Sequence, residues 1–558
     1  MQYKLVKKMV QDLYSRPNVF HLDVEQLRRE SEKYGIKTEF GNYNFSSSVR
    51  NRSAWATVYF GSERVRTKKL NPYQKEIVKN LPLTLEKLRG YLKRAPFVCV
   101  ERKMGQNSEF TPHCTAYVSI HRKDCIRIAY MWTALLFDPE PDKEPHLYLV
   151  QIPEWQERER QILVFPEEGV TFVLGSDYLG EIKKGFLRMA MWFAKERGML
   201  GIHAGAKLLR AKDSSGKIKR YSMLLFGLSG TGKTTHSCHH HYLNEEGEGV
   251  EIIQDDVVFL KEDGSILGTE KGFFLKTDID PENQPLIYRA ATQKDTVLEN
   301  VMVDYQGKVY FLDDTLTGNG RGVIQRTDLG KENITDSINS PPLSELDGMI
   351  IAFITRRNTV LPIVSKLTPE QGAAAFMLGE SIETSASDPR RIGESVRVVG
   401  TNPFIVGDET EEGNIFYRIL KKNEDKLQCY LLNTGGVGEI VEEDENGNKV
   451  VRQPVTRVEI KEMAYIIRDI ARGVIKWQRD PIWGTETPRK VEGVNIERFS
   501  PEKFYTPEQI KAYVEKLKKE RIEYIKSFPN LDKKIVSAVE NTCLLYTSDA
   551  ADELDGVD

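Results

Sequence analysis

The chain alternates short apolar runs with charged, helix-periodic segments, and the pattern changes near residue 201. Before that point, a helical pattern over Pro72–Arg94 precedes strand-like runs at Phe97–Glu101 and His146–Ile152. After it, the apolar run Ser222–Phe226 leads into a glycine-rich loop and a polar helix, and a later apolar run covers Met349–Thr355. Strands that alternate with helices in this way predict an α/β fold with a nucleotide-binding unit in its second half.

Length and local composition divide the chain into parts. Its 558 residues exceed what one ordinary hydrophobic core organises. We predict an N-terminal α/β substrate-side domain over 1–200 and a C-terminal nucleotide- and metal-binding domain over 201–542. The polar, glycine-containing stretch 385–402 is typical of a mobile lid. Residues 543–558 resemble translated sequencing-adaptor sequence, so we expect a non-native tail there.

Charge and cysteine content narrow the class of protein. The chain has 79 basic and 82 acidic residues, a net charge of −3, which gives no basic field for nucleic acid. Its six cysteines form no CxxC pair, which favours a reducing, cytoplasmic location over a disulfide framework. Neither a signal peptide nor an apolar run of the ~20 residues that span a bilayer is present in the sequence, so we expect no membrane association.

The strongest chemical signal is a phosphate loop. The sequence Gly-Leu-Ser-Gly-Thr-Gly-Lys-Thr, from Gly227 to Thr234, fits G-x-x-x-x-G-K-[ST] in full and lies between a predicted strand and a predicted helix. Backbone N–H groups of such a loop hold phosphate oxygens, and the helix adds its positive dipole end. Lys233 is expected to reach the β- and γ-phosphates, and Thr234 to ligate Mg²⁺. The predicted nucleotide-binding residues are Gly227, Leu228, Ser229, Gly230, Thr231, Gly232, Lys233, Thr234 and Thr235.

Two consecutive aspartates close a later apolar strand. Asp255 and Asp256 follow the run Glu251–Ile253, about twenty residues after the phosphate loop. Carboxylates at the carboxyl end of a strand beside bound phosphates hold divalent cations in phosphoryl-transfer enzymes. We therefore predict that both aspartates are metal ligands.

The longer string Leu225–Thr235 resembles the kinase-type loop of ATP-dependent phosphoenolpyruvate carboxykinases. Other segments that are similar to the family's motifs occur in the family's order: Tyr178–Gly185, Ile202–Ala206, Glu299–Val301, Asn319–Arg321, Leu361–Thr368, Asn433–Gly435 and Arg457–Lys461. The resemblance covers about residues 50–475. It implies the family's two-domain architecture, with a P-loop-containing, mononucleotide-binding C-terminal domain.

The resemblance also implies an activity. Enzymes of this family decarboxylate oxaloacetate and phosphorylate the enolate with ATP, giving phosphoenolpyruvate, CO₂ and ADP, with Mg²⁺ and Mn²⁺ as cofactors. The expected partners are these small molecules, in a monomer or small homo-oligomer. Two alternatives stay open: a kinase of the same fold that phosphorylates another acceptor without decarboxylation, and a non-catalytic nucleotide-binding regulator.

Roles for individual residues follow from the family's motifs. Lys184, His203 and Asp256 match the family's Mn²⁺ ligands, and a lysine ligates a metal only when neutral, which requires a lowered pKa. Arg321 matches the arginine that contacts substrate and the transferring γ-phosphate, and Tyr178 matches a tyrosine near the substrate carboxylate.

Other positions match less well. Arg52 is the candidate for the substrate-carboxylate arginine, but the flanking Gly and Pro of the family motif are missing, so Arg64 or Arg66 are alternatives. Arg457 matches a residue that lies against the nucleotide base. After Asp256 the family's Glu-His-Gly-Trp is replaced by Val-Val-Phe-Leu. The cluster Cys238–His241 is not expected to bind zinc, because four adjacent residues on a helix cannot all face one ion.

Overall fold

A computed structural model of the chain describes residues 3–140, 142–155, 159–228, 230–315, 318–382, 394–445 and 449–544. The chain forms two compact units. The first comprises residues 1–201, 267–339 and 404–408, and the second comprises residues 202–266, 340–403 and 409–558. The sequence placed 201–542 in one domain, whereas residues 267–339 and 404–408 cluster with the N-terminal part.

The described strands β1 to β31 have the following bounds in chain order: Val19–His21, Ile36–Lys37, Tyr43–Phe45, Thr57–Tyr59, Phe97–Lys103, His113–Ser119, His146–Ile152, Gln161–Phe165, Val170–Leu174, Leu200–Ile202, Ala204–Lys212, Ile218–Gly227, Gly249–Gln254, Val258–Leu260, Ile266–Gly268, Gly272–Lys276, Val297–Glu299, Met302–Val303, Val309–Tyr310, Arg321–Gln325, Gly348–Thr355, Val364–Leu367, Glu380–Ile382, Ser395–Arg397, Leu427–Asn433, Gly436–Val437, Ile440–Glu443, Lys449–Gln453, Thr456–Arg457, Trp477–Arg479 and Glu486–Pro488.

The described helices α1 to α12 have the following bounds in chain order: Lys4–Gln11, Val24–Glu32, Pro72–Tyr91, Ile126–Thr133, Leu179–Lys195, Lys233–Ser237, Pro285–Ala291, Pro369–Leu378, Glu409–Lys422, Ile460–Arg472, Pro507–Ile525 and Lys533–Leu544. Three of them, α3, α8 and α11, begin in the same way. Each has a polar N-cap side chain, a proline at the first helical position and a glutamine that completes a capping box. None of the described helices combines the length and apolar character that crossing a membrane requires.

In its described residues, the first unit contains two larger sheets and the two-stranded ladder β18-β19. Seven strands lie in the order β1-β5-β6-β7-β9-β8-β4, and five in the order β16-β20-β17-β3-β2. The seven-stranded sheet packs against α1 and α3 through a core that includes Val10, Leu88 and Phe172. Helix α5 lies so close to β7 that a Cβ atom at Gly185 would be 2.5 Å from Leu149 Cδ1. The five-stranded sheet joins residues 36–45 to residues 272–325, which explains why 267–339 belongs to this unit.

The second unit is built on an eight-stranded sheet in the order β13-β11-β12-β21-β25-β22-β31-β30. Its central strands β12, β21 and β25 are parallel, and every residue of β21 is buried. One face packs through Leu225 and Ile350 against Ile467 of α10. The parallel centre directs the loop after β12 and the end of β21 to the same edge of the sheet.

The strands and the first helix predicted from apolar patterning are confirmed. Pro72–Arg94 corresponds to α3. The predicted strands correspond to β5, β7, β12 and β21, in the order Phe97–Glu101, His146–Ile152, Ser222–Phe226 and Met349–Thr355. The run Glu251–Ile253 corresponds to β13, which ends immediately before the two aspartates. The helix predicted after the phosphate loop is only the five-residue α6. Residues 385–393 of the predicted lid and residues 545–558 of the predicted tail lie outside the described residues, whereas residues 394–402 are described and include β24.

Candidate active site

The loop between β12 and α6 adopts a conformation that depends on its glycines. Gly230 and Gly232 have φ angles of +78° and +97°, in the left-handed region that favours glycine. A Cβ atom at Gly227 would lie 2.6 Å from Thr231 Oγ1, so a side chain there would displace the loop. Ser229 lies outside the described residues. The motif glycines therefore have the backbone role that the sequence predicts for them.

Two threonines from distant segments fix this loop. Thr434 Oγ1 donates to the Thr231 carbonyl at 2.7 Å, and Gly227 N–H donates to Thr401 Oγ1 at 3.2 Å. Thr401 is buried and has a φ angle of +50°, which is unusual for a β-branched residue. Strained backbone of this kind persists only where surrounding contacts determine it. Sequence reasoning missed Thr401, because nothing in its local sequence indicates a contact with the phosphate loop.

Lys233 and Thr234 both contact Asp255. Lys233 Nζ donates to the Asp255 backbone carbonyl and lies 4.0 Å from Asp255 Oδ1, and Thr234 Oγ1 donates to Asp255 Oδ2 at 2.9 Å. Asp255 Oδ1 is buried without a hydrogen-bond partner, and burial raises the pKa of this carboxyl. A threonine hydroxyl beside a carboxylate with a free oxygen is an all-oxygen donor set. These residues fit a hard divalent cation such as Mg²⁺.

His203 and Asp256 form a second pair. His203 Nδ1 lies 2.8 Å from the Thr401 carbonyl, and Nε2 lies 3.1 Å from Asp256 Oδ1. A carbonyl only accepts hydrogen bonds, so Nδ1 is the donor to Thr401, and in a neutral ring the Nε2 lone pair would be available to a cation shared with the Asp256 carboxylate. A backbone carbonyl that orients a histidine in this way is typical of metal ligation. An imidazole nitrogen and a carboxylate oxygen at this separation fit a divalent transition-metal ion.

Lys207 on β11 anchors the far end of α6. Its Nζ donates to the His236 carbonyl, contacts His241 Nε2 and lies 3.4 Å from the His239 carbonyl. Lysine has three N–H donors, and these three acceptors match them. Because α6 has only five residues, its dipole adds less to phosphate binding than the sequence predicted. Sequence reasoning missed Lys207, although a lysine in an otherwise apolar strand is a detectable signal.

The histidines around Lys207 do not form a metal site. In the described parts of the chain, the single group of three or more histidine, cysteine or acidic side chains with converging ligand atoms is Asp124, Cys125 and Asp177. Arg127 and two backbone N–H groups already occupy the Asp177 carboxylate. The expectation that the Cys238–His241 cluster does not bind zinc stays a prediction.

In the first unit, Tyr178 and Arg321 lie together. Tyr178 occupies the N-cap position of α5, and burial raises the pKa of its hydroxyl against the opposing effect of the nearby Arg321 charge. The Arg321 guanidinium carbon lies 5.4 Å from the Phe274 ring centroid, and Arg321 Nε is buried without an acceptor. The Arg321 charge is thus fixed in place but keeps hydrogen-bonding capacity for an anion.

Glu299 lies opposite Arg321 in the β17–β20 pairing. Both of its carboxylate oxygens are buried without a hydrogen-bond partner, and burial raises its pKa to about 7. Side chains that are directly opposite on paired strands are near neighbours. At Glu299 the sequence shows a family motif, but nothing in it indicates an unpaired carboxyl group.

The two lysines near the start of α5 differ in environment. Lys183 is fully buried, and its Nζ lies 2.7 Å from Glu270 Oε2. Lys184 is partly exposed, and its Nζ lies 4.6 Å from the Phe404 ring centroid. The buried ion pair therefore uses Lys183, and Lys184 is the lysine that faces accessible space. Lys184 belongs to the first unit, and the His203–Asp256 pair to the second.

The candidate arginines are also distinguished by their surroundings. Arg52 is largely buried, and its guanidinium carbon lies 4.3 Å from the Phe404 ring centroid. Arg64 forms a 2.6 Å ion pair with Glu196, and Arg66 is exposed. This favours Arg52 as the anion-binding residue among the three.

Arg457 is exposed on the short strand β29 in the second unit. Its partner across the ladder is Gly436, two residues after the threonine that holds the phosphate loop. Arg457 therefore lies on a segment linked to the nucleotide loop, with its side chain accessible.

Comparison with known proteins agrees with this arrangement. The family model described as phosphoenolpyruvate carboxykinase matches residues 14–497. The phosphoenolpyruvate carboxykinase (ATP) of Aeropyrum pernix is 29% identical over 507 residues, which cover 90% of this chain and 93% of that protein. Matches to phosphoenolpyruvate carboxykinase (ATP) 1 of Salinibacter ruber and to phosphoenolpyruvate carboxykinase (ATP) of Thermus thermophilus are both 28% identical. They cover 66% and 67% of this chain, and 64% and 65% of those proteins.

Proposed function

The chain belongs to the phosphoenolpyruvate carboxykinase family, and from this premise we propose that it converts oxaloacetate and ATP into phosphoenolpyruvate, CO₂ and ADP. In this reaction the C3–C4 bond of oxaloacetate breaks and its electron pair forms an enolate as CO₂ leaves. The enolate oxygen then takes the γ-phosphoryl group, and ADP departs. The family membership supports an ATP-dependent carboxy-lyase that uses a divalent metal.

The second unit supplies the nucleotide-binding part of this proposal. The loop Gly227–Thr234 would hold the phosphates through backbone N–H groups, and Lys233 would place its charge on the β- and γ-phosphates. Thr234 and Asp255 would hold Mg²⁺, and Arg457 would lie against the base. Bound divalent cations supply electrostatic stabilisation of developing negative charge on phosphate and enolate oxygens.

The first unit supplies the substrate-binding part. Arg52 would bind a substrate carboxylate, and Tyr178 would lie near that carboxylate, beside Arg321. The family resemblance assigns Arg321 to neutralising charge on the transferring phosphoryl group. It also assigns Lys184 as a third ligand of the Mn²⁺ that His203 and Asp256 would hold.

The observation that carries the proposal is the different surroundings of the two consecutive aspartates. Asp255 faces Lys233 and Thr234 of the phosphate loop, whereas Asp256 faces His203. Adjacent carboxylates with distinct partner sets support two separate cation sites. A kinase that only transfers phosphate has no need for a histidine-containing transition-metal site in addition to its nucleotide-bound Mg²⁺.

The test is an assay of the purified chain with oxaloacetate, ATP and excess Mg²⁺, in which phosphoenolpyruvate is measured as micromolar Mn²⁺ is added. We expect product formation, stimulation by Mn²⁺, and much weaker activity with GTP in place of ATP. His203→Ala is expected to remove most of the Mn²⁺ stimulation while binding of Mg-ATP stays nearly normal. Exposed His121 provides the matched control, since His121→Ala should respond to Mn²⁺ like the unmodified chain.

Each outcome bears on a different part of the proposal. ATP consumption without phosphoenolpyruvate would support a kinase acting on another acceptor and would contradict the lyase assignment. If the rate of product formation does not change with Mn²⁺, or if the His203 variant is stimulated by Mn²⁺ like the unmodified chain, the result would contradict the His203–Asp256 metal site alone.

A further inference from the structure

Arg188 is a buried arginine that has no role in the proposed reaction as described above. It lies on α5, one turn after Lys184, and its side chain is 3% exposed. Its Nε and Nη1 atoms are buried without a hydrogen-bond acceptor. Its contact with an aromatic ring is to Tyr59, whose centroid lies 5.5 Å from the guanidinium carbon. Burying a guanidinium without an anionic partner is costly, so the position calls for an explanation.

A second arginine lies close to the first. Arg52 and Lys184, which lies one turn before Arg188 on α5, both pack against the Phe404 ring, with their charged groups 4.3 Å and 4.6 Å from its centroid. Burial, and next the charge of Arg188, lower the pKa of Arg52. Glu181 is the carboxylate near both arginines, but its Oε1 accepts from Ser53 N–H at 2.5 Å. Two guanidinium groups thus share one carboxylate that is bonded elsewhere. These three side chains together carry a net positive charge, which attracts an anion.

We propose that Arg188 is a second anion-binding arginine beside Arg52, and that the two guanidinium groups together hold a carboxylate of the substrate. This inference rests on the proposed function for the identity of that substrate. Arg52, which is less buried than Arg188, supplies the outer contact.

The chemistry of the reaction determines which carboxylate this is. Oxaloacetate has two carboxylates, of which one leaves as CO₂ and the other stays in phosphoenolpyruvate. Decarboxylation moves negative charge away from the departing carboxylate, so two fixed cations on that group would stabilise the ground state and slow the step. The arginine pair therefore binds the retained carboxylate, which both oxaloacetate and phosphoenolpyruvate carry.

The test compares Arg188→Gln, Arg188→Lys and a matched control in both reaction directions. Arg197→Gln is the control, because Arg197 follows the same helix, is exposed and bonds to the Phe193 carbonyl. We expect Arg188→Gln to raise the KM for oxaloacetate and for phosphoenolpyruvate by about 10- to 100-fold, with a much smaller change in kcat. Arg188→Lys should recover part of this loss, and the control should match the unmodified chain.

Other kinetic outcomes would overturn the inference. Unchanged KM values for both acids would mean that Arg188 binds no substrate anion. A rise for oxaloacetate alone would place it on the departing carboxylate, and a rise for Mg-ATP alone would place it on the nucleotide.

A measurement without turnover separates this inference from the proposed function. Phosphoenolpyruvate should raise the melting temperature of the unmodified chain and not that of Arg188→Gln. The variant itself should melt at the same temperature or higher, because it loses a buried unpaired charge, whereas a purely structural arginine would lower it. If the chain shows this difference but forms no product from oxaloacetate and ATP, the anion site stands and the carboxykinase proposal fails.

Discussion

At the scale of single residues, Lys233 has a contact that explains both its position and its expected role. Its Nζ donates to the Asp255 carbonyl, so the ammonium group is held beside the phosphate loop before any nucleotide binds. Charge placed in advance on a transferring phosphate is worth several kcal/mol in phosphoryl and acyl transfer. We therefore expect Lys233 to contribute to turnover much more than to folding.

We expect Lys233→Ala to lower kcat by about 100-fold or more while the protein stays folded. Steady-state kinetics and thermal melting measure the two effects. Exposed Lys217 provides the control, since Lys217→Ala should change neither quantity. Full activity in the Lys233 variant would remove the phosphate loop from the mechanism.

Glu299 links stability to pH. Burial raises its pKa to about 7, above the ordinary value of 4.5. The folded protein therefore keeps a proton that the unfolded chain releases between these values. The stability that this group contributes is fully present below pH 4.5 and is lost as the pH rises through 7. Because glutamine does not titrate, Glu299→Gln should be more stable than the unmodified chain at pH 8, by up to about 3 kcal/mol, and nearly equal at pH 5.

Urea unfolding at the two pH values measures this difference. Glu282→Gln, at an exposed carboxylate, serves as the control and should show no pH-dependent gain. An equal effect of Glu299→Gln at pH 5 and pH 8 would mean that Glu299 does not hold its proton in the folded state.

At the scale of elements, the short helix α6 depends on the strand beneath it. Five residues form too short a helix to be stable alone, and the Lys207 side chain satisfies carbonyls at its far end. Lys207→Met would remove the lysine donor from both carbonyls and leave the His236 carbonyl with His241 Nε2, 3.1 Å away, as its side-chain partner. We expect it to lower the free energy of unfolding by about 3 kcal/mol and to weaken Mg-ATP binding, because Lys233 and Thr234 belong to the same helix.

Chemical denaturation and calorimetric titration of Mg-ATP test these two effects. Lys212, near the end of the same strand, is partly exposed and pairs with Glu245 at 3.5 Å. Lys212→Met should have little effect on either quantity, since a surface ion pair contributes little. Normal nucleotide affinity in Lys207→Met would show that α6 keeps its position without the lysine.

At the scale of the whole chain, the last described helix, α12, is part of the packed second unit. Ile535 and Val539 of α12 are buried, and the helix packs against α8 and α11. A truncation after Asn541 keeps these residues, so we expect a nearly unchanged melting temperature and activity. A truncation after Asp532 removes α12 and should destabilise the chain by about 3 kcal/mol or more. A large loss from the first cut would mean that residues 542–558 contribute to the fold.

The sequence alone determined the elements and motifs that depend on neighbouring residues. The phosphate loop, its strand, and Asp255 and Asp256 at the end of β13 were predictable, because glycine conformation, helix capping and apolar periodicity act over a few residues. The family resemblance extended this local information to His203 and Arg321. It also assigned Lys184 a role, which stays a prediction.

Only the tertiary structure decided the contacts between distant segments. Thr401 lies 174 residues from Gly227, and neither sequence context indicates their hydrogen bond. The same holds for the three polar atoms around Lys207 Nζ. It also holds for the pairing of residues 36–45 with residues 272–325, which places residues 267–339 in the first unit. An unpaired buried arginine such as Arg188 is recognisable only when all its neighbours are known. The physical reason is that burial and hydrogen-bond satisfaction depend on packing between segments, which local propensity does not encode.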